Sequence, residues 1–177
     1  NANSIKCSEI ATNKFLMRNA FKKNGDPIPK YIEVEENEEF DISDFSYPLI
    51  VKPTDRSGSR GITKILQETE LPNAIKIACS ESFGKKAMIE EFVHGKEYSV
   101  ECISYHGKHS LLVVTEKITT GSPHFIETGH NEPAPLDLQI VKKIKEIVYH
   151  ALDSLEITEG ASHSEIKIDE SGNIKII

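Results

Sequence analysis

Lys52 closes the apolar run Leu49-Ile50-Val51-Lys52-Pro53, and five residues later stands Ser57-Gly58-Ser59-Arg60-Gly61. Small residues let backbone N–H groups come close to an anion, so such a loop between two strands can cradle phosphate oxygens. A lysine adds a point charge for the same oxygens. The run is not a Walker loop, which needs Gly-Lys-Ser/Thr opening a helix, nor the dinucleotide fingerprint; a flexible hairpin tip is the competing reading. In Ala87-Met88-Ile89-Glu90-Glu91-Phe92-Val93 two adjacent carboxylates sit in an otherwise apolar strand and so face opposite sides. If that strand packs on both faces, one of the two needs a buried partner; an edge strand with exposed acids is the plain alternative. Glu97 follows just beyond it.

Later in the chain, Ser162-His163-Ser164-Glu165-Ile166-Lys167-Ile168 alternates as a strand, with Glu165 opposed to Ile166 and Ile168. A carboxylate on the polar face of such a strand suits a hard cation, Mg²⁺ shared with phosphates in particular, and equally suits plain solvation. Charged and imidazole groups also collect in Thr115-Glu116-Lys117 and in Phe125-Ile126-Glu127-Thr128-Gly129-His130-Asn131-Glu132-Pro133. The second of these reads as an irregular segment between a strand and a helix, where substrate-contacting side chains often sit. His130 reads equally as a solvated loop residue.

The elements that must position these groups follow from periodicity. Ile10, Leu16, Met17, Ala20 and Phe21 predict one helix over residues 9–24, ended by Asn24-Gly25, with Tyr31–Val34 a short strand after Pro27 and Pro29. Strand 47–53, the loop, strand 62–66, a helical stretch 68–82 and strand 87–93 make a small α+β lobe. Segments 97–105 and 110–118 read as an antiparallel hairpin. Leu136, Ile140, Ile144, Val148, Ala151 and Leu155 mark a long helix, and strands 162–168 and 174–177 follow, joined by Asp169-Glu170-Ser171-Gly172. Asn1-Ala2 reads as a cloning remnant, and the chain stops on an apolar strand, so a fragment of a longer protein is expected.

Composition narrows the function classes. The 177 residues carry 21 Lys+Arg against 28 Asp+Glu, a formal net charge of −7. Length and charge balance fit one compact unit, or a domain with part of a neighbour, and argue against general binding to nucleic acid or an anionic membrane. No apolar run reaches the roughly 20 residues of a bilayer span, and the basic-then-apolar order of a signal peptide is missing, so a cytoplasmic location is expected. Cys7, Cys79 and Cys102 are far apart and in no paired motif, which predicts structural cysteines rather than a disulfide framework or a zinc site.

Taken in order, these segments resemble the ATP-grasp superfamily along nearly all of the chain. Thr12-Asn13-Lys14-Phe15 with Ile28-Pro29-Lys30-Tyr31 is similar to the family's opening helix and extended segment, and Leu49–Pro53 with the Ser57–Gly61 loop is the most specific stretch. Met88–Val93 with Gly95-Lys96-Glu97-Tyr98-Ser99-Val100-Glu101 resembles the inter-lobe hinge, and Gly160-Ala161-Ser162-His163-Ser164-Glu165 the strand bearing the first metal carboxylate. The resemblance implies an α+β ATP-grasp fold: residues 1–46 as N-terminal helix and linker, 47–93 as a small lid lobe, and 94–177 as a larger antiparallel-sheet lobe truncated at its end. It implies ATP and Mg²⁺ as cofactors. Lys14 and Lys52 would hold the ATP phosphates, and Ser57, Gly58, Ser59, Arg60 and Gly61 would close over them. Glu90, Glu91 and Val93 would meet adenine, two of them through backbone groups. Glu97 would bond the ribose hydroxyls and Glu165 would bind Mg²⁺.

Within the superfamily, residues 115–117 and 125–133 look most like the carboxylate–amine ligases related to alanine–anticapsin ligase, which makes Glu127 and His130 the substrate-side candidates. The implied reaction activates a small-molecule carboxylate as an acyl phosphate for attack by an amine, with neither nucleic acid nor membrane as partner. Two rival readings are a non-catalytic ATP-binding module and an acyl-phosphate enzyme of the carboxylase or carbamoyl-phosphate type. The family normally has an α/β domain ahead of this region and a second metal Glu, an Asn and an Arg beyond it; neither is in these residues.

Overall fold

The computed structural model describes residues 2–120 and 127–177. In chain order the elements are helices α1 (Ile5–Thr12) and α2 (Lys14–Asn24), strands β1 (Tyr31–Glu35), β2 (Leu49–Pro53) and β3 (Thr63–Ile65), helix α3 (Leu71–Glu81), strands β4 (Lys86–Glu91), β5 (Lys96–Tyr105), β6 (Lys108–Thr119) and β7 (Glu127–Asn131), helix α4 (Leu138–Ser154), and strands β8 (Gly160–Ile168) and β9 (Ile174–Ile176). They divide into two compact units, one of Thr12–Arg18 and Pro29–Phe92, the other of Asn1–Ala11, Asn19–Ile28 and Val93–Ile177.

The single helix expected over residues 9–24 is two. Asn13 breaks it because its side-chain Oδ1 accepts from the N–H groups of Phe15 at 3.0 Å and Leu16 at 3.1 Å, capping a fresh start at Lys14. In the unit of residues 12–18 and 29–92, four antiparallel strands lie in the order β1-β4-β2-β3. Alternation sends Leu49, Val51, Ala87 and Ile89 to one face, where Ala74, Ile75 and Ala78 of α3 bury them. The same alternation sends Lys52, Met88 and Glu90 to the opposite face.

In the other unit five antiparallel strands run β7-β6-β5-β8-β9. The β5–β6 hairpin turns on His106-Gly107, both with positive φ of 49° and 72°, the backbone a two-residue hairpin turn demands. Helix α4 buries Ile144, Val148 and Ala151 of the stripe its spacing announced, with Leu152 beside them. Residues 127–131, expected to be irregular, form β7, paired with β6. Their sequence lacks apolar alternation; the ladder offered by β6 supplies the pairing that intrinsic propensity does not. Residues 121–126, with Phe125 and Ile126 of the expected motif, and Asn1 lie outside the described residues. All three cysteines are free and buried, and burial pushes the Cys102 thiol up to about 11. Among the described residues no helix is long and apolar enough to cross a membrane.

Candidate functional site

In the first unit the acid that needed a partner is Glu90. Its side chain is 4% exposed, with Oε1 accepting from Arg18 Nε and Oε2 paired with Lys52 Nζ, both at 2.5 Å. Lys52 stands opposite Met88 in the β2–β4 register, so its pairing with Glu90 is a diagonal cross-strand contact. Burial alone would push the Glu90 carboxyl up; the cations of Arg18 and Lys52 overcome this and hold it at about 2. Glu91, on the opposite face, accepts from the Ser46 N–H at 3.0 Å.

Lys14 stands near the same group. Its N–H donates to the Thr54 carbonyl at 2.7 Å and its ammonium donates to the Arg56 carbonyl at the root of the 57–61 loop. Burial lowers the Lys14 pKa first, and the positive charge of Lys52 lowers it further. The loop itself, between β2 and β3, is exposed at Ser57, Gly58, Ser59 and Arg60, with left-handed backbone at Gly58, Ser59 and Gly61. Three cations, Lys14, Arg18 and Lys52, thus gather about one carboxylate, an excess of positive charge in a largely water-free setting. The arginine Nη1 is buried with no hydrogen-bond partner. Such a set suits an anion, phosphate included.

In the second unit β5 runs between β6 and β8, and Lys117 of β6 bridges acids on both other strands: Glu97 Oε1 at 2.8 Å and Glu165 Oε1 at 2.5 Å. Lys167, the register partner of Glu97, lies with its Nζ 3.9 Å from the second Glu97 oxygen. His163 pairs through Nδ1 with Glu101 at 2.6 Å and sits 3.8 Å from Glu165. His130 is the register partner of Lys117 and so shares its face of the sheet. The Glu127 backbone pairs with Thr119 on the far side of a bulge, which re-aims neighbouring side chains; its own side chain lies outside the described residues. Val93 is half-buried just before β5.

Among the described residues no three His, Cys, Asp or Glu gather as a metal cage. Glu165 is a partly exposed carboxylate with one oxygen paired to Lys117; its other oxygen suits Mg²⁺ arriving with phosphates, because Mg²⁺ keeps waters and needs only one or two protein carboxylates. Of the expected residues, the structure gathers Lys14, Lys52 and Glu90 in one unit, and Glu97, Glu165 and His130 on one sheet face of the other. Sequence reasoning missed Arg18 and the bridging place of Lys117. Arg18 had a signal: it follows Lys14 by four residues, hence on the same helix face.

Residues 45–177 match the family model described as "ATP-grasp domain". D-alanine–D-alanine ligase B of Chromobacterium violaceum is 27% identical, aligned over 98% of this chain and 58% of its own. Alanine–anticapsin ligase of Bacillus subtilis is 29% identical over 93% of this chain and 39% of its own. Among solved structures, the L-amino acid ligase of Bacillus licheniformis superposes with a TM-score of 0.81 at 26% identity, over 97% of this chain and 40% of that one. The chain therefore spans about half the length of such relatives or less. Its two antiparallel sheets with their helices are the α+β architecture of that fold, and the chain belongs to the ATP-grasp family.

Proposed function

We propose that this chain is the Mg-ATP-binding part of a ligase that joins a small carboxylate to an amine. The observation that carries the reading is the excess of buried positive charge formed by Lys14, Arg18 and Lys52 around Glu90, beside the Ser57–Gly61 loop. Bound ATP would supply a phosphoryl group to the carboxylate, and amine attack on the resulting acyl phosphate would expel inorganic phosphate. Mg²⁺ held by Glu165 would supply charge neutralisation on the phosphates.

The chain's own residues do the rest. Lys14 and Lys52 draw negative charge off the phosphates, so that a second anion can approach. The backbone N–H groups of Ser57, Gly58, Ser59, Arg60 and Gly61 bind phosphate oxygens, and Glu90, Glu91 and Val93 meet the base, two of them through main-chain groups. Glu97 orients the ribose. Glu127 and His130 contact the carboxylate or the amine. The names of the relatives, all ligases acting on amino acids, support this reaction class.

Calorimetric titration with a non-hydrolysable ATP analogue, with and without Mg²⁺, tests the reading. Saturable binding by the wild type, lost in a folded Lys52→Met variant, is expected. A folded wild type that binds no analogue would overturn it, and bicarbonate-dependent ADP release by the longer protein would favour the carboxylase-type reaction instead.

A further inference from the structure

Resting on the nucleotide reading, we infer that Arg18 and Glu90 are positioning residues: Glu90 is the counter-charge that allows Lys52 to stand ready for phosphates before they arrive, and Arg18 holds Glu90 in place. The expectation from sequence sets Glu90 against adenine; in addition, each of its carboxylate oxygens carries an ion pair, one with Arg18 Nε and the other with Lys52 Nζ, each at 2.5 Å. Its backbone lies in β4, paired with Tyr31 of β1 on one side and Ile50 of β2 on the other. The sheet thus holds the Glu90 backbone on both sides, while the carboxylate keeps acceptor sites beyond these two ion pairs.

The ion pairs give Glu90 a part beside any contact with the base. A lysine side chain is long and loses much rotamer freedom when fixed, so a phosphate-binding lysine that starts mobile costs affinity. Lys14 and Lys52 are close enough for the charge of one to lower the pKa of the other. Without an anion among them, three neighbouring cations would push the most mobile member towards water. Glu90 removes that repulsion, and the positive charge of Arg18, 1% exposed, holds the carboxylate from the helix side. Two negative charges, Glu90 and the nearby Asp55, against three positive ones still leave a surplus for the ligand.

The two roles predict opposite signs. If Glu90 were only a nearby negative charge or a packing residue, Glu90→Gln would leave anion affinity unchanged or raise it, since the variant is more positive. If it positions Lys52, the same isosteric change lowers affinity. Calorimetric titration of the whole chain with inorganic tripolyphosphate, adenosine and the ATP analogue separates them, with the fold of each variant checked by circular dichroism. We expect Glu90→Gln to weaken the ATP analogue and tripolyphosphate at least tenfold while adenosine affinity changes less than twofold. Arg18→Met should weaken the same two probes, and Arg18→Lys should restore most of the loss. Unchanged or tighter tripolyphosphate binding by folded Glu90→Gln would overturn the positioning role, as would a loss confined to adenosine. Should Glu90→Gln fail to fold, equal affinities for Arg18→Met and Arg18→Lys would overturn it in its place. Absence of analogue binding by the wild type would remove the nucleotide reading itself, and this inference with it.

Discussion

Glu90 is an ionised carboxylate at 3% exposure, and its free energy depends on its two cationic neighbours. Truncating it to Ala would strand Arg18 and Lys52, and the loss of one partner from a buried ionic group typically costs about 3–5 kcal/mol; chemical denaturation measures this. The Glu90 carboxyl is depressed from 4.5 to about 2. Its contribution is therefore fully present above pH 4.5 and is lost as pH falls towards 2. Stability of the wild type should drop over that window more steeply than that of Glu90→Gln, and denaturant midpoints taken at a series of pH values would show it. The need for a partner was legible, because two adjacent acids in a strand must face opposite ways. Which partners was not: Lys52 lies on another strand, and Arg18 comes from a helix whose apolar spacing drew attention to the face it shares with Met17 and Phe21. Likewise Glu165 was legible as a polar-face acid, while its bridge to Lys117 depends on the non-local order β6-β5-β8.

The elements themselves were mostly legible, since β2, β4, β5, β6, α4 and β8 follow from periods of 2 and 3.6 residues and differ from expectation only at their ends. The α1–α2 break was not, because a side-chain cap at Asn13 is invisible to a count of apolar residues, and β7 was not, because its stability comes from its neighbour. Two contacts between elements carry testable weight. Gly95, at φ 125°, lies where a Cβ would come within 2.3 Å of the Ile168 carbonyl oxygen in β8. Gly95→Ala should cost about 2 kcal/mol or more from crowding and backbone strain, read as a lowered denaturation midpoint. Asp26 accepts from Ser154 Oγ at 2.6 Å and pairs with His150 Nδ1 at 2.7 Å, tying α4 to the segment after α2. The hydrogen bond to Asp26, then its charge, raises the His150 pKa above 6.5. That contribution is complete below pH 6.5 and disappears as pH rises through the folded value. His150→Gln should flatten the decline in stability above pH 6.5, seen in thermal melts.

At the scale of the whole molecule, the chain spans only part of its relatives' length, so the proposed substrate side is tested in a protein of their full length. There, replacing Glu127 or His130 should lower turnover by tenfold or more while leaving affinity for the ATP analogue within about twofold, the pattern of groups that act on the reacting partners rather than on the nucleotide. Loss of nucleotide affinity instead would move both residues to the phosphate side. Order along the chain has a different consequence for synthesis. The unit of residues 12–18 and 29–92 has all its strands once Phe92 has been made. In the other unit the ten-residue β5 folds back with β6 at once but must wait for its second neighbour, β8, which begins only at Gly160. A growing chain on the ribosome therefore exposes one open strand edge for as long as the intervening residues take to be translated, a surface on which two nascent copies could pair. Lys96, Glu97 and Glu101 lie along that edge, so charges read here for their chemistry also discourage aggregation before the protein is complete.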